Sequence, residues 1–156
     1  MNDMNTVAAY ICSRYEAEKG ERIDEMRLHK LMYFAQRESL IVKNEPLFEG
    51  DFYGWRFGPV LTALRDTYKN DAFDKTVTGE ALGDARELVD AVIDEYADKD
   101  SWSLSRLTHG EISWKRSRKG VAPSESSNNR IPLEDIRADA DRIRQRREAL
   151  DQYGLL

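Results

Sequence analysis

The chain has 156 residues, and its 24 Lys and Arg against 29 Asp and Glu leave a net charge of −5. This length predicts one domain able to bury a core without staples, since a chain of about 150 residues hides roughly 70% of its unfolded surface. Three Trp, seven Tyr and five Phe exclude whole-chain disorder, and a lone cysteine, Cys12, excludes a disulfide framework and a Cys-based zinc site. The acid excess argues against a dedicated nucleic-acid binder. No apolar run approaches the roughly 18 residues of a membrane span, and Met1–Asn5 lacks the basic-then-apolar start of a secretion signal. The expectation is a soluble, cytoplasmic protein.

Residues 5–19 read as a helix, with Val7, Ala8, Ile11, Cys12 and Tyr15 on one face and Gly20 as its stop. Cys12 on that face reads as a small buried hydrophobe. Asp24 has the right chemistry to cap a second helix running to Lys43. Leu28, Leu31, Met32 and Ala35 form its stripe, and Tyr33 and Phe34 widen it, which predicts a central helix. Between residues 47 and 57 the period changes: Tyr53, Trp55 and Phe57 alternate as in a strand and predict an aromatic face laid over a helix. Gly58-Pro59 then reads as a helix start, opening a third helix over 59–69. Residues 70–83 read as a connection with a short strand at 76–78 that pairs with the aromatic one. A fourth helix covers 84–99, and Ser103 caps a short helix ending near His109-Gly110. Residues 114–130 have the composition of a polar, basic loop. A last helix over 132–153 has a narrow seam of Leu133, Ile136, Ala140, Ile143 and Leu150, suited to a helix–helix contact at home or on a partner. The fold class expected is mainly α: a single domain of about five or six helices with a small β-hairpin or short two- to three-stranded sheet. Its core spans about 5–112.

Catalytic signatures are sparse. The two histidines are His29 and His109, and Glu111 stands near enough to His109 in sequence for an acid–base pair. No nucleophile elbow, HExxH motif or phosphate-binding glycine loop accompanies them. Gly58-Pro59 beside Arg56 could hold an anion at a helix start, with a plain structural turn as the alternative. The run Lys115-Arg116-Ser117-Arg118-Lys119 beside Trp114 has the ingredients of single-strand binding, with a solvated loop as the alternative. The last helix mixes both signs of charge and does not read as a DNA-reading helix.

Several stretches resemble a known family. Lys30-Leu31-Met32-Tyr33-Phe34-Ala35-Gln36, Pro46-Leu47-Phe48, Trp55-Arg56-Phe57-Gly58-Pro59-Val60 and Tyr68-Lys69, in this order, resemble the Panacea domain. Leu107-Thr108-His109 and Trp114 are similar to the family's later motif. The chain departs at His29, where the family pattern has Gln, and this departure is expected to matter little if the residue lies at the surface. The loop over 115–130 looks peculiar to this chain and is expected to set partner choice. The resemblance implies a phage-associated antitoxin domain of toxin–antitoxin pairs, mostly helical with a small β element, whose partner is a toxin protein encoded nearby.

The resulting expectation is a non-enzymatic antitoxin that neutralises its toxin by direct binding, with no cofactor and no metal. Its partners would include neither a membrane nor nucleic acid other than an operator, and homo-oligomerisation stays open. A proteolytic adaptor and a DNA-binding autoregulator are the alternatives. Tyr53, Trp55, Arg56, His109, Trp114, Lys115 and Arg116 are the candidate partner-binding residues, because aromatics and Arg concentrate at binding hot spots. Lys30, Leu31, Tyr33, Gly58, Pro59 and Val60 are expected to hold the fold.

Overall fold

The computed structural model describes residues 1–155. The fold is mainly α with a small antiparallel sheet. Helix α1 (Met4–Lys19) starts on Asp3, whose carboxylate accepts the Thr6 amide at 3.0 Å, and stops at Gly20 with φ 72°. Helix α2 (Glu25–Lys43) starts on Asp24, which accepts the Arg27 amide at 2.9 Å, and Asn44 closes it in a left-handed conformation. Local caps of this kind are why both helices were legible. As expected, α2 is central and is buried on nearly all sides, including the polar Lys30, Gln36 and Arg37.

The sheet consists of β1 (Phe52–Trp55), β2 (Gly58–Val60) and β3 (Arg130–Ile131), in the order β2–β1–β3. Three expectations fail here. The inward face of β1 carries Phe52 and Gly54, both buried, whereas Tyr53 and Trp55 are half-exposed and Phe57 is exposed. Gly54 leaves room for Ser117, whose hydroxyl would collide with any Cβ at that position. Gly58-Pro59 does not start a helix: Pro59 lies in β2 opposite Gly54, on an edge strand where its missing N–H is tolerated. A 3₁₀ turn (Thr62–Leu64) and the short α3 (Arg65–Lys69) follow. Residues 76–78 form no strand; Thr76 is held in a turn by the Asp74 carboxylate at 2.9 Å. The strand that joins the hairpin is β3.

A 3₁₀ segment (Gly79–Ala85) leads into α4 (Arg86–Tyr96). Helix α5 (Ser101–His109) is capped by Asp100, not Ser103; Asp100 accepts the Ser103 amide at 2.8 Å. Helix α6 (Ile112–Ser117) replaces the start of the expected loop. Its cap comes from α7 (Leu133–Gln152): Asp139, fully buried, accepts the amides of Ile112 at 2.7 Å and Ser113 at 3.0 Å. Helix α7 docks on its own molecule. Arg144 bonds the carbonyls of Leu40 and Ile41 at the end of α2, and Arg147 forms a two-pronged pair with Glu38 at 2.8 and 3.1 Å. Arginine at the Ile41 carbonyl satisfies an acceptor near the helix end, and at Leu40 it adds a second donor to the carbonyl that already accepts the Asn44 amide at 3.1 Å. No helix among the described residues is long and apolar enough to cross a membrane.

Candidate functional site

The first turns of α2, the β1–β2 hairpin, the start of α3 and residues 126–128 enclose a cleft of about 680 Å³. Four positions of α2 at helical spacing, Glu25, Met26, His29 and Lys30, form one wall. Trp55, Arg56, Phe57 and Gly58 form the opposite wall. The volume falls within the range of small-ligand sites.

At the inner end lies Lys30, 1% exposed, whose Nζ donates to the Pro59 carbonyl at 3.1 Å. Burial pulls this ammonium down to about 7. Gly58 has φ 115°, and a Cβ there would lie 2.5 Å from the Thr108 hydroxyl and 2.6 Å from Lys30 Cε. Only glycine adopts that conformation without cost and leaves that space free. Ser105 bonds the Phe57 carbonyl, which ties the hairpin to α5.

His29 is also buried, so its departure from the family pattern is not a surface change. Its Nδ1 accepts the Leu61 amide at 3.2 Å, so its Nε2 carries the proton given to Glu25 at 2.9 Å. A glutamine offers the same acceptor and donor pair. Burial lowers the His29 pKa and keeps the ring neutral. Glu25 also accepts from Arg65 Nε at 2.9 Å, and the His29 and Arg65 donors hold its carboxyl at about 2. Arg65 in turn lies over the Trp55 ring at 4.9 Å, and Trp55 Nε1 donates to Asn128 at 2.8 Å. Arg56 is exposed and lies over Phe57 at 4.9 Å. Phe57 meets the exposed Trp102 edge-on at 5.2 Å.

The structure divides the candidate partner-binding residues. Trp55 and Arg56 line the cleft. Trp114 and His109 stand behind it: their rings stack at 4.1 Å, and Trp114 Nε1 donates to the Trp55 carbonyl at 2.8 Å. Tyr53 lies further along β1, paired with Val60 and Arg130. Lys115 and Arg116 lie on α6 outside the cleft lining, and Arg116 pairs with Asp135 at 3.0 Å. Arg118 does not belong to a solvated loop. It is buried and donates to the carbonyls of Gly54, Ala122 and Glu125.

Two chemical readings fall with these positions. The anion site at a helix start has no helix start beneath it. Glu111 is turned away from His109 toward Arg37, with which it makes a buried ion pair, and burial raises its carboxyl to about 7. Residues of the cleft that sequence reasoning passed over are Glu25, Met26, Arg65, Ser126, Ser127 and Asn128.

Comparison with known proteins adds the following. The family model described as Antitoxin SocA-like, Panacea domain matches residues 28–115, more than half of the chain. Antitoxin SocA of Caulobacter vibrioides (strain NA1000 / CB15N) is 47% identical over 38 residues, covering 24% of this chain and 20% of that relative. The matched part is therefore about a fifth of the length of that protein. No solved structure matches the chain.

Proposed function

We propose that this chain, which belongs to the Antitoxin SocA-like, Panacea domain family, neutralises a toxin protein by binding it directly. Residues 1–156 act as one Panacea-like domain, and the cleft between α2 and the β1–β2 hairpin is the principal contact. One observation carries this reading. Three stretches distant in sequence, around Lys30, Trp55–Pro59 and Thr108-His109, meet at Gly58. All of them lie within the matched 28–115. The exposed Arg56, Phe57 and Trp102 at the rim supply the residue types that dominate binding hot spots. The protein acts by covering the toxin: His29 is held by Leu61 and Glu25, and the His109 ring is stacked on Trp114.

The test is co-induction of each flanking open reading frame with and without this protein. Growth arrest by a neighbour should be relieved by the wild type. Trp55→Ala and Arg56→Glu, folded as judged by Tm, should rescue poorly. Toxin that accumulates in a complex supports masking, whereas toxin that disappears replaces masking with delivery to a protease. Absence of any toxic neighbour, or full rescue by both variants, overturns the proposal.

A further inference from the structure

We infer that the cleft is built to receive the chain-end carboxylate of the partner protein, paired with Lys30 Nζ and flanked by Arg56. The apolar part of the same peptide would lie on Met26, Trp55 and Phe57. This deepens the reading of the cleft as the partner-binding surface and rests on it.

The argument starts from an incomplete ammonium. Lysine has three N–H donors, and Lys30 has one hydrogen-bond acceptor among the described residues, the Pro59 carbonyl at 3.1 Å. A lysine buried to 1% exposure is costly unless paired. The carboxylate nearest in sequence, Glu25, is already occupied by His29 and Arg65, each at 2.9 Å, and makes no ion pair with Lys30. Arg56 at the mouth of the cleft has no carboxylate within 4.0 Å among the described residues. The cleft therefore holds two unpaired cations at different depths.

The walls decide between kinds of anion. Met26, Trp55, Phe57 and Val60 make the lining largely apolar, so the occupant carries an organic part beside its charge. A phosphoryl group has three oxygens to satisfy and a higher charge to place beside Glu25. A carboxylate needs fewer donors and matches what Lys30 and Arg56 offer.

The experiment uses the full chain, ¹⁵N-labelled, at pH 6.5, with the indole signals of Trp55, Trp102 and Trp114 assigned. N-acetyl-L-phenylalanine, N-acetyl-L-phenylalaninamide and phenyl phosphate are titrated separately. The acid should shift the Trp55 indole and the Arg56 and Phe57 amides, and the amide analogue should bind at least about ten-fold more weakly. Lys30→Met should abolish the preference for the acid, and Arg56→Gln should weaken it should Lys30→Met fail to fold. Equal binding of acid and amide, tighter binding of phenyl phosphate, or no shift at Trp55 overturns the inference. Pull-down of the neighbouring toxin by wild type and Arg56→Gln separates the two levels. Toxin captured equally by both proteins, with no acid preference, sinks the carboxylate inference alone. Toxin captured by neither sinks the antitoxin reading.

Discussion

Gln36 and Phe48 are bound to each other as two strands of a sheet would be. The Gln36 side-chain amide donates Nε2–H to the Phe48 carbonyl at 3.0 Å and accepts the Phe48 amide on Oε1 at 3.3 Å. The same Oε1 accepts the Leu47 amide at 2.7 Å. One side chain thus satisfies three backbone groups of a buried turn and links two of the stretches that carry the family resemblance. Gln36→Leu leaves those groups unpaired, and the expected loss is about 3–5 kcal/mol. Urea denaturation checks it: the midpoint should fall with an unchanged m-value.

Gly58→Ala tests the convergence point. The added methyl meets Thr108 and Lys30 Cε within 2.6 Å at a φ of 115°. The expected cost is about 3 kcal/mol, a Tm lower by roughly 6–12 °C. A loss below about 1 kcal/mol would mean that the hairpin shifts easily and that the cleft wall is soft.

Lys30 gives the protein a pH dependence on the alkaline side. Its folded pKa of about 7 lies below the unfolded value of 10.5, so the unfolded state binds more protons between these values and stability rises with pH through that window. Below about 7 the burial penalty is present in full. The difference in Tm between wild type and Lys30→Met should therefore shift in favour of the wild type from pH 7 to 9.5, as followed by thermal melts in matched buffers.

His29 acts on the acid side. Burial keeps its folded pKa below 6.5, so its contribution is complete above pH 6.5 and is lost as pH falls below it. Glu25 titrates lower, at about 2, and its contribution is lost only as pH falls below about 4.5. His29→Gln, which can keep the bonds to Leu61 and Glu25, should flatten the Tm profile between pH 6.5 and 5. A profile identical to that of the wild type would count against a neutral buried ring.

Asp139→Ala removes the acceptor for two amides of α6 and for the Tyr33 hydroxyl, which donates to it at 3.2 Å. The expected cost is about 3 kcal/mol. Hydrogen exchange should report it locally, with the Ile112 and Ser113 amides losing more protection than those of α1.

Helices with their caps in the adjacent sequence were readable: Asp24, Gly20 and the apolar stripe of α2 fix that element locally. Helix α6 was not. It has six residues, and the carboxylate that starts it comes from 26 to 27 positions away. Arg118 read as solvated because charge normally is; three carbonyls of the folded chain are what make its burial tolerable. The facing of β1 was inverted for a related reason. Alternating aromatics signal burial, but the inward position next to Phe52 is a glycine filled from outside by Ser117, and Trp55 is left to form the cleft wall. The candidate cleft was half legible: Trp55 and Arg56 were found by residue type, whereas the α2 wall was hidden within a helix read as core.

The interlock made by α7 governs when the molecule can be finished during synthesis. Asp139, Arg144 and Arg147 complete α6 and the end of α2 from the last helix of the fold. While a ribosome still shelters these residues, α6 lacks its first-turn acceptor and the Ile41 carbonyl of α2 lacks its Arg144 donor. A nascent chain stalled before α7 therefore exposes parts of a central helix that the complete fold hides.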